Sequence, residues 1–186
     1  MDSAAGSFLE VVGRLKHLDR KGWTYFPIPK VETVACHMYR MAMCVFLLPR
    51  SMDLFKIMKM ALVHDIGESL IGDFTPADAI SVERKREIEQ QAVSEIAGYL
   101  PAEWAREEVL QLWLEFETGQ TQEALLVRDL DKFDMIYQAY EYEKAHEVDL
   151  TTFFDSTRDV FKTEVVKDWV QHLYSQRRKL HSTSLD

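Results

Sequence analysis

Apolar residues recur at spacings of three and four along most of this chain, the pattern of helices that each bury one stripe. It predicts helices near 7–18, 32–48, 52–67, 82–99, 102–118, 121–146 and 163–180. No stretch alternates apolar and polar residues long enough to make a convincing strand. Ser51 and Ser81 stand where N-caps belong, Pro101 suits a first helical turn, and Gly119 suits a helix stop. Between helices, 19–31 (DRKGWTYFPIPKV) reads as an irregular but packed connection. Residues 72–80 (GDFTPADAI) read as a second loop, and 147–162 as a loop with a short turn. With no repeat, low-complexity tract or linker, the expected fold is all-α: a single domain over 1–186.

Composition narrows the partners. At 186 residues the chain can bury a core without staples, and its 7 glycines and 5 prolines fit a helix-rich globule. A formal charge of -9 argues against nonspecific binding to nucleic-acid polymers or anionic membranes. It leaves room for a small phosphorylated ligand, which needs only local positive charge or a metal. Cys36 and Cys44 read as free thiols of a reducing compartment. The first residues, MDSAAGSFLE, lack the basic and apolar segments of a signal peptide, and the apolar run at 41–49 is too short to span a bilayer. The expected setting is the cytoplasm, with the nucleus as the alternative.

The candidate chemistry lies in LVHDIGESLIGD at 62–73, where a core-type helix carries His64, Asp65 and Glu68, with Asp73 just beyond. His37 occupies the preceding helix, in VACHMYRMA. Imidazole and carboxylate groups converging from neighbouring helices are the ligand types of hydrolytic metal sites. A further carboxylate is offered by LVRDLDKFDMIYQAY in the helix near 121–146. There Val127, Leu130, Phe133 and Tyr137 mark the buried face, Asp131 borders it, Asp134 falls within it and Asp129 points away. Periodicity alone does not choose between Asp131 and Asp134. Each group also has a structural alternative. A lone histidine on an apolar face is more often a satisfied core residue, an aspartate after glycine also caps turns, and an aromatic in a proline-rich connection usually plugs a core edge. The charged run at 82–91 is most simply a solvated face, although its basic members could lean toward a phosphate.

The order His, His-Asp, distant Asp resembles the HD phosphohydrolase superfamily. Gly22-Trp23, HMYRM at 37–41, ALVHD at 61–65, ExxxGD at 68–73 and PAD at 76–78 resemble its 5'-deoxynucleotidase branch, over about 8–157 with a C-terminal helix beyond. The resemblance implies an HD-domain helical bundle in which His37, His64, Asp65 and Asp131 hold a catalytic divalent cation. An LDxxxM motif at 130–135 favours Asp131 over Asp134. Glu68 and Asp73 match acidic residues of the reaction centre and are the catalytic candidates. Trp23 matches a tryptophan that packs near the sugar. Where relatives carry arginine just before it this chain has Gly22, and Arg20, slightly upstream, is the substrate-binding candidate. Cys36 stands where relatives often have an acidic residue, and Glu115 or Glu117 matches a further site glutamate. Mixed imidazole and carboxylate ligation suits Mn, Co, Fe or Zn better than Mg. The implied activity is metal-dependent hydrolysis of deoxyribonucleoside 5'-monophosphates by a homodimer. The rivals are an HD enzyme for another nucleotide class, a noncatalytic HD scaffold that binds metal or nucleotide, and a purely structural helical protein.

Overall fold

A computed structural model describes residues 3–183. They form nine α-helices and no β-sheet, the sole bridge being Asp19 against Thr33. The helices are α1 Ser3–Arg14, α2 Val34–Cys44, α3 Leu54–Val63, α4 Glu68–Ile71, α5 Val82–Gly98, α6 Glu103–Thr118, α7 Gln122–His146, α8 Thr151–Ser156 and α9 Glu164–Thr183. α3 is central, packed against α2, α6 and α7, while α5 pairs with α6 and α9 lies along α7. The main core gathers Met41, Ile57, Met60, Leu130 and Ile136. A second cluster of Val11, Ile66, Val93, Ile96 and Trp113 joins α1, α5 and α6 to the turn after α3. Burying whole side chains of this size stabilises by roughly 1.5–3 kcal/mol each, so the apolar stripes set the helix order.

Several expected boundaries shift for local reasons. The helix expected over 52–67 stops at Val63, and a turn precedes α4. Its N-cap is Asp53, which accepts from the Lys56 N–H, and not Ser51. Ser81 does cap α5, accepting from the Arg84 N–H. Pro101 lies outside α6, whose N-cap is Ala102. Gly119 ends α6 in the left-handed region. The expected helix over 32–48 is α2, capped by Thr33, followed by a 3-10 turn over Val45–Leu47. The connections hold more order than expected. Lys21–Tyr25 and Pro76–Asp78 are 3-10 turns, and 147–162 contains α8. Tyr137 is exposed, not part of the buried face of α7. Asp129, expected to point away, is 3 % exposed and accepts from the Lys162 and Thr163 N–H groups and the Thr163 hydroxyl. It therefore caps the entry to α9.

Candidate metal centre

Three elements bring the site together. α2 carries His37, the end of α3 and the turn after it carry His64 and Asp65, and α7 carries Asp131. One ligand atom from each of His37, His64 and Asp131 lies within 4.8 Å of the others. Asp65 Oδ2 is 3.1 Å from His64 Nε2 and 3.8 Å from His37 Nε2, and Asp131 Oδ1 is 3.4 Å from His37 Nε2. The break after Val63 matters here, because it turns Asp65 back toward His64. Gly67 permits that turn to pack close: a Cβ on it would stand 3.1 Å from Val93 Cγ2.

The hydrogen bonds of the two imidazoles decide their protonation. His64 Nδ1 lies 3.0 Å from the Ala61 carbonyl, which can only accept, so that nitrogen carries the hydrogen. His37 Nδ1 lies 2.7 Å from Asp134 Oδ2, and contacts with His37 and Arg40 overcome burial to hold the Asp134 carboxyl below its usual range. Nδ1 therefore donates there too. Both Nε2 atoms are buried and without a hydrogen-bond partner, and in the neutral imidazoles these are the nitrogens that keep the lone pair. Buried, orphaned imidazole nitrogens facing two carboxylates fit a divalent cation, and the outer Nδ1–H bonds are the arrangement that orients metal-ligating histidines. Asp134 is thus the partner behind His37, held in turn by the Arg40 guanidinium, which also reaches Glu141 at 2.7 Å.

The same groups strongly perturb one another. Burial and the Arg20 guanidinium push the His37 imidazole down, but Asp131 and Asp134 outweigh them and raise it to about 9. Burial opposes ionisation of Asp65, yet His64 and His37 carry it well below the carboxylate range, and Asp131 behaves likewise beside Lys132 and His37. Glu68 goes the other way. Burial, then Asp65 and Asp73, push its carboxyl up to about 11, and its Oε2 is buried without a partner. Asp73 is also raised by burial, but its Oδ2 accepts from the Lys21 N–H at 2.8 Å.

The cluster stands at the junction of two cavity arms. The smaller, about 570 Å³, is lined by Arg20, Trp23, Phe26, Glu68, Asp73 and Phe153, with Asp65 and Asp131 at its inner end. The larger, about 820 Å³, shares Asp65 and Asp131, adds His64, and is lined with Lys85, Arg86, Arg128 and Lys162. All eight candidate residues thus fall at one place, His37 fully buried behind the others. Trp23 is 1 % exposed. Its ring packs on Phe153 and Tyr142, and its indole N–H donates to Glu32 at 3.1 Å. Arg20 Nη1 lies 3.6 Å from Asp65 Oδ2. Of the two glutamates near the end of α6, Glu117 lines the larger arm, whereas Glu115 turns away to Lys56 at 2.7 Å. Cys36 is exposed. Sequence reasoning gave no site role to Phe153 or Lys162, and named Arg128 only as a structural partner for Asp131. Only the basic members of the run at 82–91 gave a hint of Lys85.

Residues 12–172 match the HD domain family model. The chain belongs to the HD-domain family. Known relatives include the Dictyostelium discoideum protein named 5'-deoxynucleotidase HDDC2, 45 % identical over 185 residues, covering 92 % of this chain and 97 % of that one. The mouse protein of the same name is 38 % identical over 180 residues, covering 95 % and 90 %. Among solved structures, the PH0347 protein from Pyrococcus horikoshii OT3 superposes with a TM-score of 0.76 at 28 % identity, covering 92 % of this chain and 98 % of that one. The HD domain implies a divalent metal, and the orphaned nitrogens of His37 and His64 beside Asp131 suit one. No helix among the described residues is long and apolar enough to cross a membrane.

Proposed function

We propose that this HD-domain protein is a metal-dependent 5'-deoxynucleotidase that hydrolyses deoxyribonucleoside 5'-monophosphates to deoxynucleoside and phosphate. The observation that carries the reading is the pair of buried, partnerless Nε2 atoms between Asp65 and Asp131, at the inner end of an aromatic arm of nucleoside size. Relatives across 92 % of the chain bear that activity in their names. His37, His64, Asp65 and Asp131 would hold the cation, with Mn, Co, Fe or Zn favoured over Mg by the imidazole ligands. When bound, that ion supplies Lewis-acid polarisation of the phosphate and acidifies a water.

The chain's own residues do the rest. Trp23, Phe26 and Phe153 form the apolar walls that receive the nucleoside, and the bulk of Trp23 disfavours a 2'-hydroxyl. Arg20 sits close enough to Asp65 to contact a phosphate oxygen. Burial favours the protonated form of Glu68, and one of its oxygens is free, so it can protonate the departing 5'-oxygen. Asp73, engaged by the Lys21 N–H, is better suited to holding Glu68 neutral than to donating. We read the assembly as a homodimer. Tyr39 and Met43 on α2, with Phe46 and Leu47 in the 3-10 turn after it, are apolar and exposed, which suits a subunit contact. The unpaired Cys36 and Cys44 suit a cytoplasmic setting.

Phosphate release from matched deoxy- and ribonucleoside 5'-monophosphates tests the reading, using metal-stripped protein with Mn, Co, Zn or Mg restored singly. Metal-dependent release favouring the deoxy series is expected, and no release from either series with any metal would overturn it. Glu68→Gln should lower kcat by about 10²- to 10⁴-fold while the metal stays bound. An unchanged kcat would remove Glu68 as the acid.

A further inference from the structure

We propose that the larger arm of the cleft is a second phosphate site, formed by Lys85, Arg86, Arg128 and Lys162, for a phosphate group beyond the one at the metal cluster. The inference rests on the deoxynucleotidase reading in placing the scissile phosphate where the two arms meet.

A nucleoside monophosphate accounts for the smaller arm and the metal cluster but not for the rest of the space. The aromatic walls, Trp23, Phe26 and Phe153, line only the smaller arm. The larger arm has more volume, about 820 Å³ against 570 Å³; Lys85 and Lys132 line both arms, while Arg86, Arg128 and Lys162 line the larger one alone. Apart from the metal cluster, its walls carry five lysines and arginines and three carboxylates. That excess occurs in a chain whose formal charge is -9, where a purely solvated face would be expected to lean acidic.

The carboxylates in this arm are largely committed. Asp129 caps the entry to α9, and Glu89 sits 3.3 Å from Lys85. Lys132 pairs with Asp131 at 2.9 Å. Arg86, Arg128 and Lys162 make no ion pair among the described residues, and Glu117 is the single unengaged carboxylate facing them. The cations come from α5, α7 and the segment before α9, so one amphipathic helix does not explain their convergence.

Arg128 is placed by packing. Its guanidinium stands 5.9 Å from the Phe116 ring centroid. The side chain crosses Gly119, where a Cβ would lie 2.3 Å from Arg128 Nη1. Gly119 also has φ +60, so it ends α6 and clears the space this arginine occupies. Arginine's planar fork and lysine's point charge are together the usual chemistry for a phosphate dianion. Two sources share that chemistry: the distal phosphate of a nucleoside 5'-diphosphate, and free inorganic phosphate, the reaction's own product.

Calorimetric titration of the full chain with inorganic phosphate, metal-loaded and metal-stripped, tests the site. A site built from side chains alone should bind phosphate after the metal is removed. Arg128→Glu combined with Lys162→Glu should weaken that binding by roughly tenfold or more. Arg86→Glu should weaken it in the same direction without touching the core, so a misfolded double variant would not leave the question open. Absence of phosphate binding to metal-stripped protein, or binding indifferent to these reversals, would overturn the proposal. Nucleoside mono- and diphosphates separate the sources. Tighter binding of the diphosphate, lost in the variants, assigns the arm to a distal phosphate. Equal binding of both, with inorganic phosphate bound beside the monophosphate, assigns it to the product. Neither binding test requires turnover, so failure of the deoxynucleotidase reading would show separately as absent phosphate release.

Discussion

His37 divides its two ring nitrogens between different tasks. Nδ1 is held by Asp134, itself gripped by Arg40, and Nε2 faces Asp65 and Asp131. Asp134→Asn removes the anion behind the imidazole and leaves Arg40 without its main partner. Metal affinity should fall by about 10- to 100-fold in a calorimetric titration of metal-stripped protein, while helicity is kept. An unchanged affinity would make Asp134 a packing residue only. The pH dependence follows from the same groups. In the metal-free protein His37 is raised to about 9, so the stability it contributes is full below 6.5 and is lost as pH rises through about 9. Glu68, raised to about 11, also binds its proton more tightly when folded, so its contribution declines over that window too. Asp65 and Asp131, depressed, are ionised throughout that window in both states. The Tm of metal-stripped protein should therefore fall between pH 6.5 and 9. Because a cation needs neutral His37, the Tm gained from Mn should grow over the same range. Equal gains at both ends would contradict these assignments. Periodicity could place Asp131 and Asp134 near the buried face of α7, but not divide their roles. That division depends on which ring nitrogen α2 presents to α7, a matter of packing between distant segments.

At the scale of elements, the helices were legible because each buries a stripe, and the breaks were not. MDLFKIMKMALVHDIG scans as one helix, yet the chain turns after Val63 and helix resumes only at Glu68. No proline marks that turn. Gly67 against Val93 is its closest signal, and it appears only once α5 is in place. Asp129 was misread for a related reason. A wheel drawn on α7 alone turns it away from the core, but α9 and the segment before it cover that side. It satisfies the Lys162 and Thr163 N–H groups and the Thr163 hydroxyl there, with contacts down to 2.6 Å. Asp129→Ala should cost about 1–3 kcal/mol in chemical denaturation, because it leaves three part-buried donors at the entry to α9 without their acceptor. A loss below a few tenths would mean that α9 is anchored elsewhere. The bidentate contact of Arg177 with buried Glu143 is the other candidate anchor.

Across the whole molecule, charge is distributed against the average. The chain is acidic, yet the larger arm of its cleft is basic, while the metal cluster between the arms concentrates carboxylates. The site residues come from α2, the end of α3, the start of α4 and α7, and from loops that the sequence marked only as irregular. Those loops are tied together. The Lys21 N–H donates to Asp73, the Lys21 ammonium pairs with Asp78, and the Tyr25 and Thr75 hydroxyls meet at 3.1 Å. Asp78 in turn accepts from the Thr75 N–H and hydroxyl. The entropic cost of ordering 19–26 and 72–80 is consequently met when the protein folds, and nucleoside arrives at walls already fixed. Asp78→Ala would transfer that cost to the binding step. Its expected signature is a raised KM with kcat retained, together with a less favourable binding entropy by calorimetry, although Asp78 itself stands outside the cleft that holds Trp23. Identical entropies in the two proteins would show that these loops order independently of the Lys21 contacts.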